Sequence, residues 1–146
     1  MPSRLFPLLA AGALLFTAQG LSAQGAEPIG YEPGSPFSPV VRAGDHLYFS
    51  GKLGVSQETR QMHDGRIQAE TRNILEQFRE LFDEVGIGFE DVVKATVYLT
   101  DVEDYRGMNE AWLEFFTDSA PAREAVIVED LVAGAIIEIS FIAVDP

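Results

Sequence analysis

Between residues 91 and 100 the chain alternates: Val93, Ala95, Val97 and Leu99 fall on one parity, and Lys94, Thr96 and Tyr98 on the other. A period of two is the signature of a strand with one buried face. Residues 135–144 repeat it, with Ile137, Ile139, Phe141 and Ala143 set against Ile136, Glu138, Ser140 and Ile142. A third strand is expected over residues 123–128. Nearer the start, residues 40–42 and 47–49 flank Ala43-Gly44-Asp45 and predict a β-hairpin with a Gly-centred turn, closed by Ser50-Gly51.

Two stretches change to a helical period. Ile67, Ile74, Phe78, Leu81 and Val85, with Leu75 and Phe82 beside them, make one apolar stripe, and Gly86 follows as a stop. A second helix is expected after Thr100-x-x-Glu103, which has the form of a capping box, through Tyr105, Met108, Trp112, Leu113 and Phe116. The resulting order, ββαβαββ, predicts an α+β fold: a two-layer sandwich with a mixed sheet and both helices on one face. The opposite face of the sheet is left bare and is expected to carry Val, Ile and Phe. An exposed apolar face of that size marks an assembly surface, so an oligomer is expected.

The rest of the chain alters this picture at its beginning. Arg4 precedes an uncharged apolar run over residues 5–18, and residues 21–27 (LSAQGAE) follow it. This is the pattern of a secretory signal peptide over residues 1–23; the run is shorter than the roughly 20 residues that span a bilayer. The expectation is an exported protein, periplasmic or secreted, with no membrane attachment once the leader is removed. Residues 24–39 hold four prolines and three glycines and read as an extended arm ahead of a single domain over residues 40–146.

Charge and composition narrow the function. The whole chain carries a net charge of −13; losing residues 1–23 removes Arg4 and no acid, so 9 basic against 23 acidic residues leave −14. Nucleic-acid binding needs clustered Lys and Arg to displace counterions, and no basic run exists, which excludes it as a partner and argues against ribonuclease activity. There is no cysteine for a disulfide, and two histidines without a metal-binding spacing give no metal site. The nucleophile-elbow, phosphate-loop and dinucleotide signatures are missing too, and no cofactor is expected.

Four residues could carry chemistry. Arg123, in Pro121-Ala122-Arg123 where a strand begins, offers a guanidinium fork that fits a carboxylate, or alternatively a surface ion pair. Glu138 is a charge inside the most apolar strand, either a general acid or base or a residue of the solvated sheet face. Ser50 and Asn109 are polar groups able to line a pocket, with ordinary roles in a turn and on a helix as the alternative.

Taken together, Pro36-Phe37-Ser38-Pro39, Tyr48-Phe49-Ser50-Gly51, residues 91–99 (DVVKATVYL), Asn109, Pro121-Ala122-Arg123 and Ile137-Glu138-Ile139 before Ile142-Ala143 resemble the RidA (YjgF) family across nearly all of the chain after the leader. The resemblance implies a chorismate-mutase-like fold, a homotrimer, and three ligand clefts between subunits. It implies hydrolysis of reactive 2-imino (or enamino) acids to 2-oxo acids and ammonia, as in 2-iminobutanoate/2-iminopropanoate deaminases. Arg123 would grip the substrate carboxylate, Glu138 would position or activate water, and Phe37, Ser50 and Asn109 would line the cleft. Phe37 stands where the family usually has Tyr, so a hydroxyl is lost. Glu124 follows Arg123 where Ser or Thr is usual and should point away from it if the strand alternates. Phe37 and the leader together favour an alternative, a non-catalytic periplasmic trimer that binds small carboxylates; a holdase-like chaperone is a third reading.

Overall fold

A computed structural model describes residues 25–54 and 67–146; the leader expected over residues 1–23 lies outside them. The strands are β1 (Glu27–Ile29), β2 (Val40–Ala43), β3 (His46–Phe49), β4 (Lys52–Leu53), β5 (Val92–Leu99), β6 (Ala122–Ile127) and β7 (Ile137–Val144), and the helices α1 (Ile67–Val85) and α2 (Asp104–Trp112). They form one sheet in the order β1-β2-β3-β7-β5-β6, with β4 also on β7. Every pairing is antiparallel except β5 with β6, so the sheet is mixed, as expected.

The β2–β3 hairpin turns at Gly44-Asp45, with Gly44 at φ +61°, a left-handed value that glycine adopts freely. The arm is less loose than its prolines suggest, because β1 adds an edge strand by pairing Pro28 with Val41. β4 continues β3 after an interruption: Tyr48 faces Ile142, but Lys52 faces Ile139, so one extra residue is accommodated around Ser50-Gly51.

Helix α1 buries Ile67, Ile74, Leu75, Phe78 and Phe82 against the sheet, the stripe its sequence shows. It ends where Gly86, at φ +81°, donates its backbone N–H to the Phe82 carbonyl at 2.9 Å. Ile137, Ile139, Phe141 and Ala143 of β7 are all buried beneath the helices. Aromatic rings knit the layer, Phe141 lying 4.5 Å from Phe78 and Trp112 stacking on Phe116 at 4.5 Å.

Three expectations are corrected. Val93 does not share the buried face: a bulge lies between Val92, opposite Ala143, and Lys94, opposite Ile142, so Val92 is buried and Val93 exposed. The Thr100/Glu103 capping box does not form; Asp101 Oδ1 accepts the backbone N–H of Glu103 at 2.9 Å, and the helix begins one residue later. Leu113, counted with the apolar stripe, is exposed at the C-terminal cap of α2. The bare face also differs in composition. It aligns Tyr48, Ile142 and Lys94, then Ser140, Thr96 and Glu124, then Glu138, Tyr98 and Val126, with Lys94 and Glu124 paired at 3.2 Å. No Phe lies in those rows, since the sheet's Phe49 and Phe141 are buried.

Two packing details make measurable predictions. Gly107 lets α2 approach α1 so closely that a methyl group there would collide with Ile67. Gly107→Ala is expected to destabilise the protein by about 1–2 kcal/mol, because overpacking outweighs the roughly 1 kcal/mol gained in helix propensity; urea unfolding reads this directly.

The second is Glu70, buried on α1 with one carboxylate oxygen unpartnered among the described residues. Desolvation raises its pKa to about 7, aided by the charge of Asp104 and opposed by a hydrogen bond from the Ile136 backbone. Folded and unfolded states are both protonated below about 4.5, so Glu70 costs nothing there. As pH rises from about 4.5 to about 7 the unfolded state ionises first, and stability falls. Glu70→Gln is expected to remove that slope and stabilise the protein at pH 8 by about 1–2 kcal/mol, compared by urea unfolding at pH 5 and pH 8.

Candidate functional site

Arg123 is the second residue of β6, and its register partner on β5 is Ala95, itself opposite the buried Phe141. Its side chain therefore leaves the sheet on the helical side, where α2 receives it. One guanidinium nitrogen donates to Asn109 Oδ1, and another lies 3.5 Å from Met108 Sδ. The guanidinium carbon sits 4.8 Å over the Trp112 ring and 6.0 Å from that of Tyr105. Helical spacing brings these four residues onto one face.

This surrounding answers the alternative of a surface ion pair. No carboxylate of the described residues pairs with Arg123; its partners are an amide, a thioether and two rings. Asn109 and Trp112 fix the guanidinium's orientation, and its remaining N–H donors suit a bidentate anion. Glu124 points to the other face, as strand alternation requires, and spends its charge on Lys94 at 3.2 Å and Thr96 Oγ1 at 3.2 Å. Lys94 first and Thr96 next hold its carboxyl below the usual carboxylate range.

Glu138 occupies the opposite parity of β7. Its register partners are Tyr98 on β5 and Leu53 on β4, and it is half-buried on the face away from the helices. The carboxylate lies directly over Gly51, where a Cβ would collide with Oε1. Gly51 thus permits the backbone to pass beneath the acid. Beside it, the Ser50 backbone N–H donates to the Pro39 carbonyl at 3.0 Å and Ser50 Oγ donates to the Ser38 carbonyl at 2.7 Å. These bonds dock residues 36–39 onto the strand interruption and leave the Phe37 ring 60% exposed, available to a partner or ligand.

The candidate residues therefore form two groups. Arg123 and Asn109 lie together on the helical side of the sheet; Glu138, Ser50 and Gly51, with the segment bearing Phe37, lie at the other face. Within one chain Arg123 and Glu138 are separated by the sheet and do not share a cleft. The cavities of about 450 Å³ between α1 and α2 and about 490 Å³ near Arg42 are lined by neither residue.

Sequence reasoning passed over Tyr105, Met108 and Trp112 as site residues, reading them as core because of their helical spacing. The available signal was Asn109 among them, one turn from both Tyr105 and Trp112. Gly51 was read as the end of a strand; its closeness to Glu138 needed the β4–β7 register.

The architecture is an α+β two-layer fold carrying an arginine seated against α2 and a strand-borne glutamate on the opposite face of the sheet. The chain belongs to the endoribonuclease L-PSP family, also called the YjgF/RidA family, whose profile matches residues 30–145. A RutC family protein of Pyrococcus horikoshii is 38% identical, over 77% of this chain and 89% of its own. The 2-iminobutanoate/2-iminopropanoate deaminase of Capra hircus is 36% identical, over 75% of this chain and 80% of its own. The crystal structure of E. coli TdcF with bound serine matches with a TM-score of 0.71 and 29% identity, covering 77% of this chain and 90% of that one. The solved relatives share the chorismate-mutase-like fold expected from the sequence.

Proposed function

We propose that the protein is an imine/enamine deaminase that hydrolyses small 2-imino acids, with active sites shared between neighbouring copies of a homotrimer. The observation that carries this reading is the seating of Arg123 on Trp112 and Asn109 on one side of the sheet while Glu138 lies over Gly51 on the other. A cleft holding both groups needs two chains, one giving Arg123 and Asn109, the other Phe37, Ser50 and Glu138. Relatives named 2-iminobutanoate/2-iminopropanoate deaminase support the chemistry, and TdcF with bound serine supports a small carboxylate ligand.

In the proposed reaction Arg123 holds the carboxylate of the 2-imino acid and orients its C=N carbon toward Glu138. Glu138 takes a proton from water as the oxygen bonds to that carbon, and the C=N electron pair moves to nitrogen, which receives that proton from Glu138. The tetrahedral amino alcohol then loses ammonia as the C–N bond breaks and the carbonyl forms. Substrate plus water becomes a 2-oxo acid plus ammonia, with no electron transfer and no cofactor required.

The test is a coupled assay in which an amino-acid oxidase generates 2-iminopropanoate and its decay is followed. Decay faster than the spontaneous rate supports the deaminase. No acceleration with any 2-imino acid contradicts it and favours the non-catalytic carboxylate-binding trimer, to which the exposed, hydroxyl-free Phe37 also points. Export through residues 1–23 is part of the proposal; recovery of the full-length chain in the cytosolic fraction would contradict it.

A further inference from the structure

Tyr105 stands one helical turn before Asn109, and its ring is 6.0 Å from the guanidinium carbon of Arg123. Trp112 covers the guanidinium at 4.8 Å and is buried, whereas Tyr105 is 45% exposed and borders the side open to solvent. Its hydroxyl neighbours the side chains of Asn109 and Arg123, which hold the phenol below its ordinary pKa. Asn109 accepts from Arg123 through Oδ1, which ties the amide to the guanidinium beside the phenol. Arg123 has only donors to offer. Toward Arg123 the phenol oxygen can only accept, so its own proton points away from the guanidinium nitrogens.

We propose that Tyr105 is a ligand-contacting residue of this site, its O–H donating a hydrogen bond to the carboxylate held by Arg123. It would supply a hydroxyl that Phe37, another aromatic residue proposed for the cleft, lacks. The proposal rests on the assignment of Arg123 as the carboxylate clamp. The donor is a strengthened one: the neighbouring side chains of Asn109, then Arg123, and the positive charge of Arg123 hold the phenol below its ordinary pKa. A more acidic O–H forms the stronger hydrogen bond to an anion.

Calorimetric titration of the purified protein, Tyr105→Phe and Arg123→Ala with 2-oxobutanoate and its uncharged analogue 2-oxobutanamide tests this. Tyr105→Phe is expected to weaken 2-oxobutanoate binding about tenfold, the scale of one hydrogen bond to a charged group, and to leave the amide's affinity unchanged. Unchanged affinity for 2-oxobutanoate in Tyr105→Phe, with binding lost in Arg123→Ala, overturns the role of Tyr105 and leaves the clamp standing. Equal weakening of both ligands also overturns it, since the ring's fit and not the carboxylate contact would then be responsible. No binding of 2-oxobutanoate even by the unaltered protein overturns the clamp and this inference together. The phenylalanine variant keeps the ring, and an unchanged melting temperature separates a lost contact from a damaged fold.

Discussion

Arg123→Ala is expected to lower kcat/KM for 2-iminopropanoate by about two to three orders of magnitude, as truncation of an oriented charge partner does. The loss should fall on binding as well as turnover. Arg123 supplies the only guanidinium stacked on Trp112 among the described residues, and its orientation by Asn109 cannot be reproduced by a neighbour. The assembly should survive, because Arg123 leaves the sheet toward α2 and the bare face carries Lys94 and Glu124 in its place. Steady-state kinetics with size-exclusion chromatography checks both halves of the expectation. Arg123→Lys should rescue little, since an ammonium is a point charge that neither stacks on the indole in the same way nor forms a fork.

The second large effect has a different kinetic form. Glu138→Gln keeps the shape of the side chain over Gly51 but removes its ability to accept a proton, and is expected to lower kcat by about two to three orders of magnitude. Binding of a 2-oxo acid should change little, because the proposed clamp on its carboxylate is Arg123. The two variants thus divide the work of the site. If Glu138→Gln instead abolished 2-oxo acid binding while Arg123→Ala spared it, the assigned roles would be reversed.

Much of the fold could be read from the sequence because its strongest patterns are local. The alternation in β7 and the stripe of α1 report burial directly, and α1 packs where its stripe demands. Local pattern also misled where the chain is irregular. The alternation of residues 91–100 gives no warning of the bulge at Val93, since a bulge inserts one residue without altering the apolar character around it. Thr100 and Glu103 have the spacing of a capping box, but Asp101 lies closer to the orphaned N–H and takes it.

The site was legible as a set of residues and illegible as a geometry. Arg123 and Glu138 stand out as charges in apolar strands, but which faces they occupy depends on how β6 and β7 each register with β5. That pairing joins residues distant in the chain: Ala95 with Arg123 and Phe141, Tyr98 with Glu138 and Val126. A shift of one residue in either strand would have placed both charges on one face. Tyr105 was hidden for a related reason, since an aromatic at helical spacing is usually core, and only the position of Arg123 shows that this one borders a site.

The proposed sharing of the cleft between copies makes a demand that no single-chain site can meet. Arg123→Ala and Glu138→Gln, each inactive alone, should restore activity when unfolded together in equal amounts and refolded as mixed assemblies. Random mixing in a closed ring brings an intact Arg123 from one variant against an intact Glu138 from the other at about one interface in four, so about a quarter of the unaltered protein's activity should return. Recovery at that level is the predicted result. Mixtures that stay as inactive as the separate variants, in assemblies shown by mass spectrometry to contain both chains, would contradict a site built from two copies.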